Sequence, residues 1–237
     1  METVFKNNVK RNKTFVHELV EFKELETVTE DGKRFYVTPN GNYPSVTTVL
    51  GSLNKNWLYE WRKRVGEEEA NRVSTRASGR GTRLHSICEK YIMNEEVFCE
   101  GQPPFVEDMF KSIQKYIDYV DVIYGSETPV YSNKLKTAGR MDLFCGIRGE
   151  KFILDFKTSS RKKSENSITD YFLQCTAYSM MIRELTGIEV PKMIILMAVE
   201  DDDPLVFVKK TKDYEEKVKD IFKEYHKKNA HKSSKLS

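Results

Sequence analysis

The sequence predicts an α/β fold: one mixed β-sheet with helices packed against it, preceded by an N-terminal β-hairpin and a helical extension. Three observations predict it. From residue 105 onward, apolar periodicity switches in the order helix, three strands, helix, strand, helix. Hydrophobic residues make up 39% of the chain, with 12 Tyr and 13 Phe, which suits a folded core, and the 32% that are charged suit a well-solvated surface. A length of 237 residues fits one large domain, or one domain with a small appendage.

The elements follow in chain order. Residues 17–28 and 33–37 read as a hairpin around the Asp-Gly turn at Glu30-Asp31-Gly32. After a loop carrying Pro39-Asn40-Gly41-Asn42, residues 44–50 open a short helix with Ser45 as N-cap, ending near Gly51. Leu58, Trp61, Val65 and Ala70 mark a helix over 57–73, with Glu67-Glu68-Glu69 on its wet face. A polar, small-residue connection and Gly79-Arg80-Gly81 then precede a helix over 82–93, whose apolar stripe is Leu84, Ile87, Cys88 and Tyr91. His85 and Glu89 sit one turn apart beside that stripe. A helix over 105–119 leads to a strand at 130–132. Residues 139–147 and 151–156 form a second hairpin through the Gly-containing turn Arg148-Gly149-Glu150. The chain closes with a helix over 168–185, a buried strand over 192–199, a short strand over 205–208 and an amphipathic helix over 214–225.

Charge is distributed unevenly about a net +3. Glu67-Glu68-Glu69 and Glu200-Asp201-Asp202-Asp203 are acidic, whereas Arg161-Lys162-Lys163, Lys209-Lys210 and the tail over 227–237 are basic. Basic surface suits a polyanion, although any single charge run is ordinarily a solvated face. Cys88, Cys99, Cys145 and Cys175 match no metal or redox spacing and fit a reducing compartment. The longest apolar run, 193–199, is far too short to span a bilayer, and residues 1–15 lack the apolar core of a secretory signal. A cytoplasmic protein without a membrane partner is expected.

The second hairpin carries the chemistry. Hairpin pairing brings Asp142 and Asp155 side by side, and a pair of carboxylates is a hard anionic site suited to Mg²⁺ or Mn²⁺. Phe156 alternates to the other face, so Asp155 and Lys157 point the same way. These are charges that a buried strand does not need for folding. A metal there lowers the pKa of bound water and polarises a phosphoryl oxygen, while a neighbouring ammonium orients the water or steadies the pentavalent phosphate. Phosphodiester hydrolysis is the expected reaction. Thr158, Ser159 and Ser160 either donate to phosphate or form a turn, and Arg161-Lys162-Lys163 offers a phosphate-tracking patch. With no recognition helix or zinc module in view, single-stranded DNA or DNA ends are the expected substrate. Trp57 is open to stack on bases, whereas Trp61 lies on an apolar stripe and reads as core.

These residues resemble the PD-(D/E)xK nuclease superfamily, in its RecB-like branch. The likeness rests on His85 and Glu89 in the run 81–89, on Gly139-Arg140-Met141-Asp142, on Asp155-Phe156-Lys157 and on Gln174-Cys175-Thr176-Ala177-Tyr178. Within that branch, Tyr43-Pro44-Ser45-Val46-Thr47, Trp61-Arg62, the run 65–70 and Arg80-Gly81-Thr82 are similar to mitochondrial genome maintenance exonucleases and related phage exonucleases. No Pro precedes Asp142, a common departure in this branch, and the cysteines do not form the cluster of the iron–sulfur subgroup.

The resemblance implies a restriction-endonuclease-like core over 76–226, an extension over 1–75 packed on it and a basic tail over 227–237. It implies that Asp142, Asp155 and the Phe156 carbonyl bind Mg²⁺ or Mn²⁺, with His85 completing the shell. Lys157 would orient the attacking water, and Glu89 would orient His85 or reach a second metal through water. Glu127 stands where related nucleases often carry an acid. Gln174 and Tyr178 would reach the catalytic lysine or DNA, and they could equally be core. Arg140, Thr158, Ser159, Arg161, Lys162, Lys163 and Trp57 are the candidate DNA contacts. The implied activity is a metal-dependent DNA exonuclease of phage or organellar DNA replication, repair or recombination, with other proteins of those processes as partners. Its compartment would be the bacterial cytoplasm if phage-encoded, or otherwise the mitochondrial matrix. The rival readings are a flap- or branch-selective endonuclease and a catalytically silent DNA-binding module.

Overall fold

The computed structural model describes residues 9–30 and 32–233. Apart from His85, the site is held by five elements that follow one another along the chain. An antiparallel meander of β5 (Val122–Ser132), β6 (Thr137–Ile147) and β7 (Glu150–Ser159) is followed by α5 (Thr169–Thr186), which crosses over to β8 (Lys192–Val199). Because that connection is a helix, β8 returns parallel to β7, and β9 (Leu205–Lys210) then adds antiparallel. With β1 (Val16–His17) parallel to β5, the sheet order is β1-β5-β6-β7-β8-β9, a mixed sheet as the sequence predicts.

Strand alternation divides the core into two layers. Leu143, Cys145, Phe152, Leu154 and Phe156 pack against α3 (Glu67–Ile92) and α4 (Pro104–Ile117). Phe144, Ile153, Ile195 and Met197 face α5 and α6 (Glu215–Ser233) on the other side. The central strands are covered on both faces, which explains their nearly unbroken apolar runs.

The N-terminal hairpin is a three-stranded antiparallel sheet: β2 (Thr27–Glu30), β3 (Lys33–Thr38) and β4 (Gly41–Pro44). The strand expected over 17–28 is confined to its two ends, β1 and β2, and the Asp-Gly turn falls on residue 31, outside the described residues. Tyr36, Tyr43 and Leu25 pack this sheet on Ala138 of β6. Ser45 caps α1 (Val46–Gly51) as expected, its hydroxyl accepting from Thr48 N at 3.0 Å.

Three expectations are corrected. The helix over 57–73 divides at Gly66, whose φ of +87° breaks it into α2 (Lys55–Val65) and α3. The acidic triplet thereby falls in the first turn of α3, where the helix dipole favours it. Conversely, the expected connection after residue 73 is absent: α3 runs on through Gly79 and Gly81, and the division drawn at residues 75 and 76 falls inside it. A helical glycine costs about 1 kcal/mol, too little to end a helix whose later turns bury Leu84, Ile87 and Tyr91. β5 is also far longer than the three residues expected. Gly125, Glu127 and Pro129 obscure its alternation, and Pro129 is tolerated because β1 pairs only as far as Ile123, leaving an open edge there. Residues 227–233 belong to α6, and 234–237 lie outside the described residues. Among the described residues no helix is long and apolar enough to cross a membrane.

Candidate active site

Three carboxylates stand in one row across the meander. The β6–β7 ladder runs from Ile147 opposite Glu150 to Leu143 opposite Leu154, and the next pair in register is Asp142 and Asp155. There the ladder stops, and the Asp142 carboxylate accepts from Phe156 N at 2.8 Å in place of a backbone partner. On the other side Ser126 pairs with Leu143 and Thr128 with Met141, which sets Glu127 opposite Asp142. Glu127 adopts φ +47°, a conformation that a non-glycine residue rarely takes.

From α3, His85 closes over this row. Its Nε2 donates to the Phe156 carbonyl at 2.7 Å, while Nδ1 lies 3.5 Å from Asp142 Oδ2 and 3.9 Å from Glu127 Oε1. Burial opposes charging the imidazole, but the Asp142 and Glu127 carboxylates outweigh it and raise the pKa to about 10. For Asp142, burial works against the charged form, yet the imidazolium, Lys157 and the Phe156 N–H together hold its pKa below the ordinary value.

Asp155 is 1% exposed, and neither of its oxygens takes a hydrogen bond. The Lys157 ammonium lies against Oδ2 as an ion pair without hydrogen-bond geometry. Burial pushes Asp155 up to about 6, with Lys157 pulling the other way and Asp142 adding to the rise. The Lys157 pKa is raised, since Asp155 and Asp142 overcome the burial that alone would lower it.

The residues suit a hard divalent cation. One ligand atom each from His85, Glu127 and Asp142 can be chosen so that all lie within 4.8 Å of one another, and Asp155 beside them is buried with only the Lys157 ammonium against its Oδ2. This grouping differs from the shell expected from sequence. Glu127 joins it, the Phe156 carbonyl is occupied by His85, and Asp155 is turned toward Lys157.

The other candidate residues divide. Gln174 Nε2 donates to Tyr178 Oη at 3.3 Å, both side chains being buried. The Tyr178 ring lies so close to β6 that a Cβ on Gly139 would stand 2.6 Å from its Cε1, so residue 139 must be glycine for this packing. The pair therefore supports the strand three residues before Asp142 and makes no hydrogen bond to Lys157. Glu89 is exposed and makes no hydrogen bond to His85; partial burial and the nearby Glu127 raise its pKa. Arg140 reaches the Glu127 carbonyl and, at 3.3 Å, Glu24, and so braces the acid row.

Thr158 is half-buried beside Gly81. The Ser159 hydroxyl donates to Arg161 O at 2.6 Å, which selects the turn reading for that residue. Arg161 is exposed, Lys162 pairs with Asp202 at 2.7 Å, and Lys163 lies 6.0 Å from the Tyr171 ring centroid. Trp57 is 65% exposed and stacks on Trp61 at 6.2 Å with an interplanar angle of 4°; Trp61 is half-buried rather than core.

Two features escape the sequence reading. The Tyr171 ring covers the Lys157 ammonium at 4.9 Å from its centroid. Its spacing was a usable signal, because Tyr171, Gln174 and Tyr178 share one face of α5. Arg80, almost fully buried, bonds Glu200 at 3.0 Å, and the Glu200 N–H donates to Ser159 O at 2.9 Å. This ties α3, which carries His85, to the ends of β7 and β8. No local pattern pairs residues 80 and 200.

No family model matches the chain. It is 25% identical over 173 residues to mitochondrial genome maintenance exonuclease 1 of Homo sapiens, covering 68% of this chain and 50% of that protein. With the Mus musculus protein of the same name it is 24% identical over 172 residues, 68% of this chain and 51% of the relative. The chain thus spans about half the length of these curated relatives. A crystal structure of a provisionally named exonuclease from Eubacterium rectale matches 63% of this chain and 65% of its own, at 16% identity and a TM-score of 0.45, too shallow a likeness to define a shared fold. The sequence matches relate the chain to nucleases.

Proposed function

We propose that the chain is a Mg²⁺- or Mn²⁺-dependent DNA exonuclease of the RecB-like PD-(D/E)xK kind, hydrolysing phosphodiester bonds at single-stranded ends in phage or organellar DNA metabolism. The observation that carries this reading is the acid row Glu127, Asp142 and Asp155, with a buried ammonium at one side and an imidazolium at the other. Folding alone has no use for so much buried charge on adjacent strands. The names of the human and mouse relatives support exonuclease action in particular.

Glu127, Asp142 and Asp155 would hold the metal, with His85 joining them through Nδ1 once that nitrogen gives up its proton, while Nε2 keeps its bond to the Phe156 carbonyl. Bound there, it supplies electrophilic polarisation of the phosphoryl oxygen and a lowered pKa for water. Lys157 holds a fixed positive charge at the same place, where it orients the attacking water and opposes the negative charge that builds on the phosphoryl oxygens. Water adds to phosphorus as the ester oxygen on the opposite side leaves. Asp142, through the Phe156 N–H, and His85, through the Phe156 carbonyl, hold the backbone between Asp155 and Lys157 so that both side chains keep their aim. Exposed Arg161, half-buried Lys163 and exposed Trp57 offer cations and a stacking surface to the strand.

The deciding experiment is a time course on single-stranded oligonucleotides labelled separately at the 5′ and 3′ ends, with and without EDTA, beside a circular single strand. Metal-dependent release from one end with the circle intact is expected. Cleavage of the circle favours an endonuclease. Full activity in Asp155→Asn would sink the site assignment.

A further inference from the structure

We propose that a basic hollow on the far side of α5 is a docking site for an acidic protein segment carrying an apolar side chain. The hollow, about 460 Å³, lies between the β5–β6 turn and α6. Lys134 and Lys136 from the turn and Lys219 and Lys223 from α6 form its rim, all four exposed. Leu135, Met180 and Phe222 form the floor. His226, at one side, donates from Nε2 to the Leu135 carbonyl at 3.0 Å and fastens the turn to the helix.

No carboxylate lines this hollow. Glu216 pairs with Lys219 at 2.6 Å. Glu184 accepts from Ser132 Oγ at 2.6 Å and from Asn133 N at 2.9 Å, holding the turn itself. Lys134, Lys136 and Lys223 form no ion pair with any described residue. Like charges gathered round an apolar floor repel one another, so the arrangement gains from a ligand that brings carboxylates to the rim and an apolar group to the floor.

A polypeptide fits this better than a nucleic acid. A phosphate backbone would neutralise the rim and leave the floor bare, whereas an apolar side chain flanked by Asp or Glu satisfies both. The position argues the same way. Tyr171, Gln174 and Tyr178 take the face of α5 toward the acid row, while Met180 on the same helix faces the hollow. The helix therefore separates the hollow from the candidate site, and the hollow is no continuation of a substrate path.

The test uses the full chain and fluorescence anisotropy. Its probes are a labelled decapeptide of Asp and Glu around one central Phe, the same peptide with Ser for Phe, and a labelled oligothymidylate of twelve nucleotides in EDTA. The Phe peptide is expected to bind and to weaken with salt. Removing its Phe, or introducing Lys134→Glu with Lys223→Glu, should each reduce affinity at least about tenfold. Activity of that variant on a short oligonucleotide should stay at the parent level, and the milder Lys134→Gln with Lys223→Gln should give an intermediate affinity. The proposal is overturned by no peptide binding at about 1 mM, or by equal binding of the Ser peptide. It is also overturned if oligothymidylate binding, and not peptide binding, is what the substitutions abolish.

Discussion

His85 and Phe156 are joined by a 2.7 Å hydrogen bond from the imidazole Nε2 to the backbone carbonyl that lies between Asp155 and Lys157. With Nδ1 beside Asp142, this bond is made best by a doubly protonated ring. A histidine on a helix thus sets the backbone between the two charged side chains of a neighbouring strand.

The pH dependence of stability follows from that ring. Its folded pKa, about 10, lies above the ordinary 6.5. The stabilisation is fully present below 6.5 and is lost as pH rises through 10. Urea denaturation in EDTA should show stability falling by about 1–3 kcal/mol between pH 6.5 and 10 from this group. The fall should shrink in His85→Asn; an unchanged slope would show that the ring is neutral in the metal-free fold.

Asp155 and Lys157 should couple strongly. Lys157→Met leaves a buried carboxylate without its cation and should destabilise the metal-free protein by about 3–5 kcal/mol. Combining it with Asp155→Asn should recover most of that loss, while every variant loses cleavage. A double-mutant cycle from denaturation midpoints measures the coupling, and additive effects would contradict the buried pair.

Tyr171 should act through its ring. Tyr171→Phe keeps the surface over the Lys157 ammonium and should retain kcat within about twofold, whereas Tyr171→Leu should lower kcat roughly 3- to 30-fold. KM should change little in both. Equal losses in the Phe and Leu variants would point instead to the hydroxyl.

Gly139 should tolerate no side chain while Tyr178 is present. Gly139→Ala forces a methyl against the ring and should cost about 1–3 kcal/mol. Adding Tyr178→Leu should relieve part of that cost. Thermal denaturation of the single and double variants checks this, and a fully stable Gly139→Ala protein would refute the close packing.

The chain's local chemistry determined a good deal by itself. Hydrophobic alternation on both sides of the Arg148-Gly149 turn sets the hairpin register, and register alone places Asp142 opposite Asp155. Alternation likewise aims Asp155 and Lys157 together with Phe156 opposite, and Ser45 is readable as a cap because it acts within one turn of chain. Tertiary structure decided what depends on distant neighbours. Glu127 enters the row only because β5 pairs with β6, and Gly125 and Pro129 hide that strand from periodicity. Whether residues 74–81 stay helical depends on the packed turns that follow them, which outweigh two glycines. The partner of Asp155 depends on the low dielectric around it, where an ammonium two residues away lies against the carboxylate and a tyrosine ring covers that ammonium. Local pattern ranks residue types and their spacing, but the energy of a buried charge is set by everything that surrounds it, and only the folded chain supplies those surroundings.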